Sequence, residues 1–192
     1  MITTDDIKAL RDKTGISVMQ CKKALEEAGG DMEKALVLLR KKGADIAAKK
    51  ADREIKSGII SSYIHGTGTV GAMVLLACET DFVANNEEFK ILAKDIAMQI
   101  TATNPEFLRS DSIPEDSKKT ARAAFEKDVA SKPKNMQEKI MEGKVASYFK
   151  EKVLLEQPFI KNPDLTIQDL ISGAIQKFGE NITVAKFSRF SI

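Results

Sequence analysis

The sequence predicts an α+β fold: a small N-terminal three-helix unit, then a core domain of helices packed on a short β-sheet. Three observations predict it. The first 43 residues carry helical apolar spacing interrupted by glycines. Residues 58–78 switch to two strand-like runs around a Gly-Thr-Gly-Thr turn, and an alternating run near the C-terminus follows a capped helix. The predicted organisation is a three-helix partner-binding domain over 1–43, a helical basic linker over 44–56 and a core domain over 57–192.

Taken in order, Thr3 and Asp6 have the spacing of a capping box, Ile7 and Leu10 follow at helical intervals, and Gly15 ends the first helix. Ser17 with Gln20 is a second capping box and opens the second helix, which lines Val18, Cys21, Leu25 and Ala28 along one face. Gly29-Gly30 breaks the chain; Asp31 caps a third helix, 32–42, with Ala35, Leu36, Leu38 and Leu39 apolar and Gly43 as its stop. Three helices of this size bury a small core, and such units mostly bind partners. The alanine-rich, basic stretch 44–56 reads as a helical linker with a solvated lysine face.

In the core domain, a hairpin is predicted over 58–78, with Ile60 and Ile64 on one face and Ile59 and Tyr63 on the other. Its second strand, Val70 to Cys78, is apolar on both faces, as a central strand should be. An amphipathic helix over 86–101 carries Phe89, Leu92, Ala93, Ile96, Ala97 and Ile100. Residues 114–155 read as a charged helical pair joined near Lys132-Pro133-Lys134, since 17 of the 39 positions in 114–152 are charged. The stripe Met136, Ile140, Met141, Val145, Phe149 and Val153 is assigned to packing. Thr166 with Asp169 caps a helix over 167–178 that Gly179 terminates, and 182–190 alternates as the third strand.

Composition excludes several function classes. Thirty basic against 28 acidic residues leave +2, too balanced for binding led by nucleic-acid phosphates. His65 is the sole histidine, so neither a His-pair metal site nor a two-His catalytic site can be built. The chain has no GxxxxGK[ST] run, and no nucleotide site and no cofactor is expected in it. Cys21 and Cys78 are far apart and read as reduced thiols of a cytosolic protein. No apolar run approaches the roughly 18–20 residues that span a bilayer, and the polar, acidic start is unlike a signal peptide. The balance favours a binding protein over an enzyme.

One segment departs from ordinary packing sequence. After the central strand comes Cys78-Glu79-Thr80-Asp81-Phe82-Val83-Ala84-Asn85-Asn86, which sets a large apolar ring in a strand-to-helix connection. Spacing leaves two readings open: Phe82 folds back onto the sheet, or it projects into a partner with Asp81 beside it as an orienting charge.

Thr80-Asp81-Phe82-Val83 resembles the TDFV element of the elongation factor Ts family, guanine-nucleotide exchange factors for elongation factor Tu. The run from Leu10 to Leu25, LRDKTGISVMQCKKAL, resembles that family's other signature, continued by Gly30-Asp31-Met32-Glu33-Lys34-Ala35 and Leu39-Arg40. The likeness is strong over 5–90, recognisable over 171–190 and weak between about 105 and 160. It implies a ubiquitin-associated-like helical domain and a core with a three-stranded antiparallel sheet. It also implies a short form of the family; short members can pair as homodimers. The chain departs from the family pattern at Ile16-Ser17 and Val18-Met19, and at Leu75 and Ala77 in the central strand.

The resemblance further implies promotion of GDP release without covalent chemistry, in the cytoplasm, with elongation factor Tu as partner and no catalytic, cofactor or metal-ligating residue. Phe82 would be a wedge at the partner's Mg²⁺ and phosphate site, Asp81 its polar neighbour, and Thr80 and Val83 the residues that fix the segment. Arg11, Val18 and Met19 would contact the partner's GTPase domain. Against this stand a local salt bridge for Arg11 and core packing for Val18 and Met19. Two other functions compete. One is a polypeptide-binding adaptor acting through the three-helix domain. The other is an RNA-binding translation accessory using Lys41, Lys42, Lys49, Lys50, Arg53 and Lys56, which lacks the aromatic platform of RNA readers.

Overall fold

Local capping signals become three helices at the N-terminus of the computed structural model, which describes residues 2–192. They are α1 (Thr4–Thr14), α2 (Val18–Glu27) and α3 (Met32–Lys50). The Thr3 hydroxyl accepts from the Asp6 amide at 3.2 Å while the Asp6 carboxylate accepts from the Thr3 amide at 2.9 Å, a closed capping box. Gly15 takes the left-handed conformation (φ 68°) that lets its N–H reach the Arg11 carbonyl at 2.7 Å. Leu10, Ile16, Cys21, Ala24, Leu25, Ala35 and Leu39 form a hydrophobic cluster separate from that of the sheet.

The expected stop at Gly43 is corrected: α3 runs through it to Lys50, and the proposed division at residue 43 falls inside a helix. Only 44–50 of the predicted 44–56 helical linker is helical. The cause is tertiary. Gly43 has no left-handed φ and serves a close approach, for a Cβ there would lie 3.3 Å from Gln176 Oε1 and 3.6 Å from Ser172 Cβ. The alanines that follow carry the helix on. Ile46 and Ala47 pack against the core and Lys50 donates to the Gly179 carbonyl, so this face is not wholly solvated.

The hairpin forms as β1 (Ser57–His65) and β2 (Val70–Cys78), turned by Gly66 and Gly68 at positive φ. A one-turn helix, α4 (Asp81–Ala84), precedes α5 (Glu87–Thr103). The charged pair is α6 (Glu115–Ala130) and α7 (Gln137–Lys150), linked by the Arg122–Glu138 and Lys144–Asp128 ion pairs. Met141 and Phe149 of the predicted stripe are buried. Its ends differ: Met136 is exposed, and Val153, fully buried, lies beyond α7 in a bridge to Phe107.

A short hairpin that the sequence did not announce follows, β3 (Pro158–Phe159) with β4 (Asn162–Thr166). Buried Gln99 of α5 secures it, its side chain donating to the Pro158 carbonyl (3.1 Å) and accepting from the Ile160 amide (2.9 Å). Then come α8 (Ile167–Phe178), with the predicted Thr166–Asp169 box and Gly179 at φ 74°, and β5 (Thr183–Ser191).

The main sheet is antiparallel in the order β1-β2-β5, with β2 central. Register places Ile59, Leu76 and Val184 on its inner face, packed in one core with α5 and α8 residues including Phe89, Ile96, Ile100, Ile171 and Ile175. The outer face carries Ile60, Leu75 and Lys186 in one row, Ser62, Met73 and Ser188 in the next, and Ile64, Gly71 and Phe190 in the third. Here β2 departs from a strand covered on both sides: Met73, Ile60, Ile64 and Phe190 are exposed.

Candidate functional site

The segment after β2 is built outward from the buried Cys78. Cys78 donates its thiol hydrogen to the Thr80 carbonyl at 3.2 Å, and Thr80, in extended conformation, becomes the N-cap of α4. Its hydroxyl accepts from the Val83 amide at 3.4 Å, and its carbonyl accepts from the Ala84 amide at 3.2 Å. Asn85 closes the turn, its amide and its side-chain Nδ2 both reaching the Asp81 carbonyl at 2.9 Å. Val83 and Ala84 face inward and are buried.

That leaves Asp81 and Phe82 facing solvent, with Phe82 82% exposed. The reading in which Phe82 folds back onto its own sheet is thereby removed. The expected irregular connection is a helical turn, because the Thr80 cap and the Asn85 contacts satisfy its end groups. A second polar support comes from far along the chain, where Glu180, between α8 and β5, accepts from the Glu79 and Thr80 amides and from the Thr80 hydroxyl. Sequence reasoning missed Glu180, and no motif or periodicity points to it.

The N-terminal candidates lie at the α1–α2 corner. Ser17 caps α2 through the Gln20 amide, half of the predicted box, since the Gln20 side chain does not return to the Ser17 backbone; Val18 and Met19 fill the first turn with 51% and 79% of their surfaces exposed. Cys21 and Leu25 supply the buried side of α2, so Val18 and Met19 are not core residues. Arg11 is exposed and enters none of the ion pairs among the described residues. A shallow depression lined by Arg11, Ile16, Ser17, Gln20, Glu88 and Lys177 joins this corner to the first turn of α5, which follows α4 directly. Glu88 and Lys177 pair across it at 2.6 Å. The depression contains none of Thr80–Val83, so it does not bring the two predicted surfaces together.

Burial pushes the Cys78 thiol up, and the Glu180 carboxylate adds to the shift; burial likewise raises Cys21. Both thiols stay protonated at neutral pH, the opposite of what a nucleophile requires. Among the described residues no group of three or more His, Cys, Asp or Glu could hold a metal ion. What the arrangement offers is contact, through an aromatic ring and a carboxylate on a capped turn and, on the helical unit, through an exposed Val-Met pair.

The helical unit, the three-stranded sheet and the outward Asp81–Phe82 pair define the class: an α+β protein whose candidate site is a projecting surface. The family described as "Elongation factor TS" matches residues 9–192. The elongation factor Ts of Thermodesulfovibrio yellowstonii is 51% identical over 192 residues, covering 100% of this chain and 96% of that protein. That of Carboxydothermus hydrogenoformans is 50% identical over 194 residues, covering 100% and 89%, and that of Leptospira biflexa 48% over 195, covering 100% and 98%. The chain belongs to the elongation factor Ts family and so to the elongation factors of translation.

Proposed function

We propose that this chain accelerates GDP release from elongation factor Tu by inserting the Thr80-Asp81-Phe82-Val83 turn beside the partner's Mg²⁺ and phosphate site. The observation that carries the reading is Phe82, 82% exposed on a turn whose next two residues are buried. A GTPase grips GDP through phosphate contacts and an octahedrally coordinated Mg²⁺, so release needs those contacts loosened. Phe82 is the wedge and Asp81 perturbs the ion's surroundings, while the Thr80 cap and the buried Val83 fix the turn. No covalent bond changes. The reaction takes place in the cytoplasm; no helix among the described residues is long and apolar enough to cross a membrane.

Magnitudes require a second contact. A ten-thousandfold acceleration takes about 5.5 kcal/mol off the barrier, at about 1.36 kcal/mol per tenfold. Burying one Phe supplies about 1.5–3 kcal/mol. Arg11, Val18 and Met19, at the α1–α2 corner, hold the complex while the wedge acts, against either the GDP-bound or the nucleotide-free partner. A second copy of this chain is a further partner, supported by the exposed Ile60, Ile64, Met73 and Phe190 on the outer sheet face; sedimentation equilibrium reads it directly as twice the chain mass.

The deciding experiment is Phe82→Ala in stopped-flow release of labelled GDP, beside a thermal melt. Stimulated release slows at least tenfold and the melt stays put. A normal rate overturns the reading, and full partner binding by residues 1–50 alone would favour the adaptor function instead.

A further inference from the structure

We propose that Glu180 is the positioning residue that aims Phe82, and this rests on the exchange reading above. Glu180 Oε2 accepts from the Glu79 amide at 3.1 Å and from the Thr80 amide at 3.0 Å, and Oε1 accepts from the Thr80 hydroxyl at 2.6 Å. One carboxylate thus takes three donors from the two residues that lead into α4, about 100 positions away in sequence. Hydrogen bonds to an ionised acceptor are roughly twice as strong as neutral ones.

The consequence runs through Thr80. Its hydroxyl hydrogen points to Glu180, which leaves an oxygen lone pair for the Val83 amide and so closes the cap of α4. A four-residue helix cannot hold itself in water, since the first turn fixes several dihedrals for one hydrogen bond. Its orientation is imposed from outside, by Val83 and Ala84 packed beneath it and by Glu180 at its base.

The next residue extends the support. The Asn181 amide donates to Glu79 Oε1 at 2.6 Å, and its side-chain Nδ2 donates to the carbonyls of Ala51 at 3.2 Å and Arg53 at 3.1 Å. The pair Glu180-Asn181 therefore ties the base of the wedge to the chain leaving the N-terminal helices. Glu180 acts through Thr80.

The test is stopped-flow release of labelled GDP from elongation factor Tu as a function of factor concentration, with wild type, Glu180→Ala, Glu180→Gln and Phe82→Ala. A displacement of about 1 Å at a working group can cost about a hundredfold. Glu180→Ala is therefore expected to lower the maximal rate about 10- to 100-fold while the half-saturating concentration, set by Arg11, Val18 and Met19, moves less than about threefold. Glu180→Gln restores most of the rate, because its amide oxygen accepts both N–H groups and its NH₂ donates to the Thr80 hydroxyl. A mere loss of stability would not split the two parameters in this way.

A wild-type maximal rate in Glu180→Ala, with Phe82→Ala slow, overturns the positioning role and leaves the exchange reading standing. A wild-type rate in Phe82→Ala overturns the exchange reading. Amide hydrogen exchange at Thr80 and Val83 of the free chain then decides for Glu180: faster exchange in Glu180→Ala supports its hold on the turn, and unchanged protection ends the proposal. If Glu180→Ala fails to fold, Glu180→Asp, one methylene short of the same donors, takes its place with the same expectations.

Discussion

Phe82 and Phe89 are seven residues apart, on consecutive helices, and have opposite fates. Phe89 is wholly buried against the sheet and meets Phe178 edge-on at 6.1 Å between ring centroids. Phe82 projects from the same end of the core with most of its ring in solvent. Both turns begin at a side-chain cap, Thr80 for α4 and Asn86 for α5, so capping does not separate them. What separates them is which residues satisfy the core. In α4 that task falls to Val83 and Ala84; in α5 it falls to Phe89, Ala93 and Ile96. The Phe82 ring is left outside a core already closed by smaller neighbours.

This contrast has consequences of decreasing size. Phe89→Ala should cost about 3–5 kcal/mol, because it removes a fully buried ring and leaves a cavity; urea unfolding measures it, and any loss of exchange activity should follow the unfolded fraction. Phe82→Ala should change stability by no more than about 0.5 kcal/mol, as for exposed positions generally. A cost near that of Phe89→Ala would erase the distinction between the rings.

The smallest effect concerns the carboxylates of the N-terminal helices, which have no part in either ring's environment. Hydrogen bonds from the Thr3 amide and hydroxyl hold Asp6 below the usual carboxylate range, and the Lys34 amide does the same for Asp31. A carboxylate whose pKa is lowered by folding adds stability above its unfolded value and loses it as pH falls through its folded value. Acidification below about pH 4 should therefore weaken α1 and α3. Circular dichroism melts across that range should show a shallower acid dependence in Asp6→Asn and Asp31→Asn than in wild type.

The sequence was most legible where one short stretch of chain settles the structure. The Thr3–Asp6 and Thr166–Asp169 boxes, the left-handed Gly15 and Gly179, and the Gly66–Gly68 turn are each decided within a few residues, and each formed as expected. Gly43 was misread because a glycine in a helix means either a stop or a close approach, and the deciding neighbour, Gln176, lies on another helix. The β3–β4 hairpin escaped because its strands are short and its partner Gln99 is far away.

The candidate site was legible by type and not by direction. The Thr80–Val83 motif stood out, but spacing could not orient Phe82, and the Glu180 contacts that support the turn join opposite ends of the core sequence. For Val18 and Met19, the apolar pattern of α2 left burial open as the lesser reading; the outcome depended on Cys21, Ala24 and Leu25 filling the small N-terminal core.

The unbroken run of α3 across Gly43 onto α8 turns the molecule into a caliper whose jaws are set. The helical unit bearing Met19 is not joined like a bead on a string, because its third helix packs along the body that carries Phe82. A variant that straightens or breaks α3 near Gly43 would therefore alter how the helical unit sits on the core.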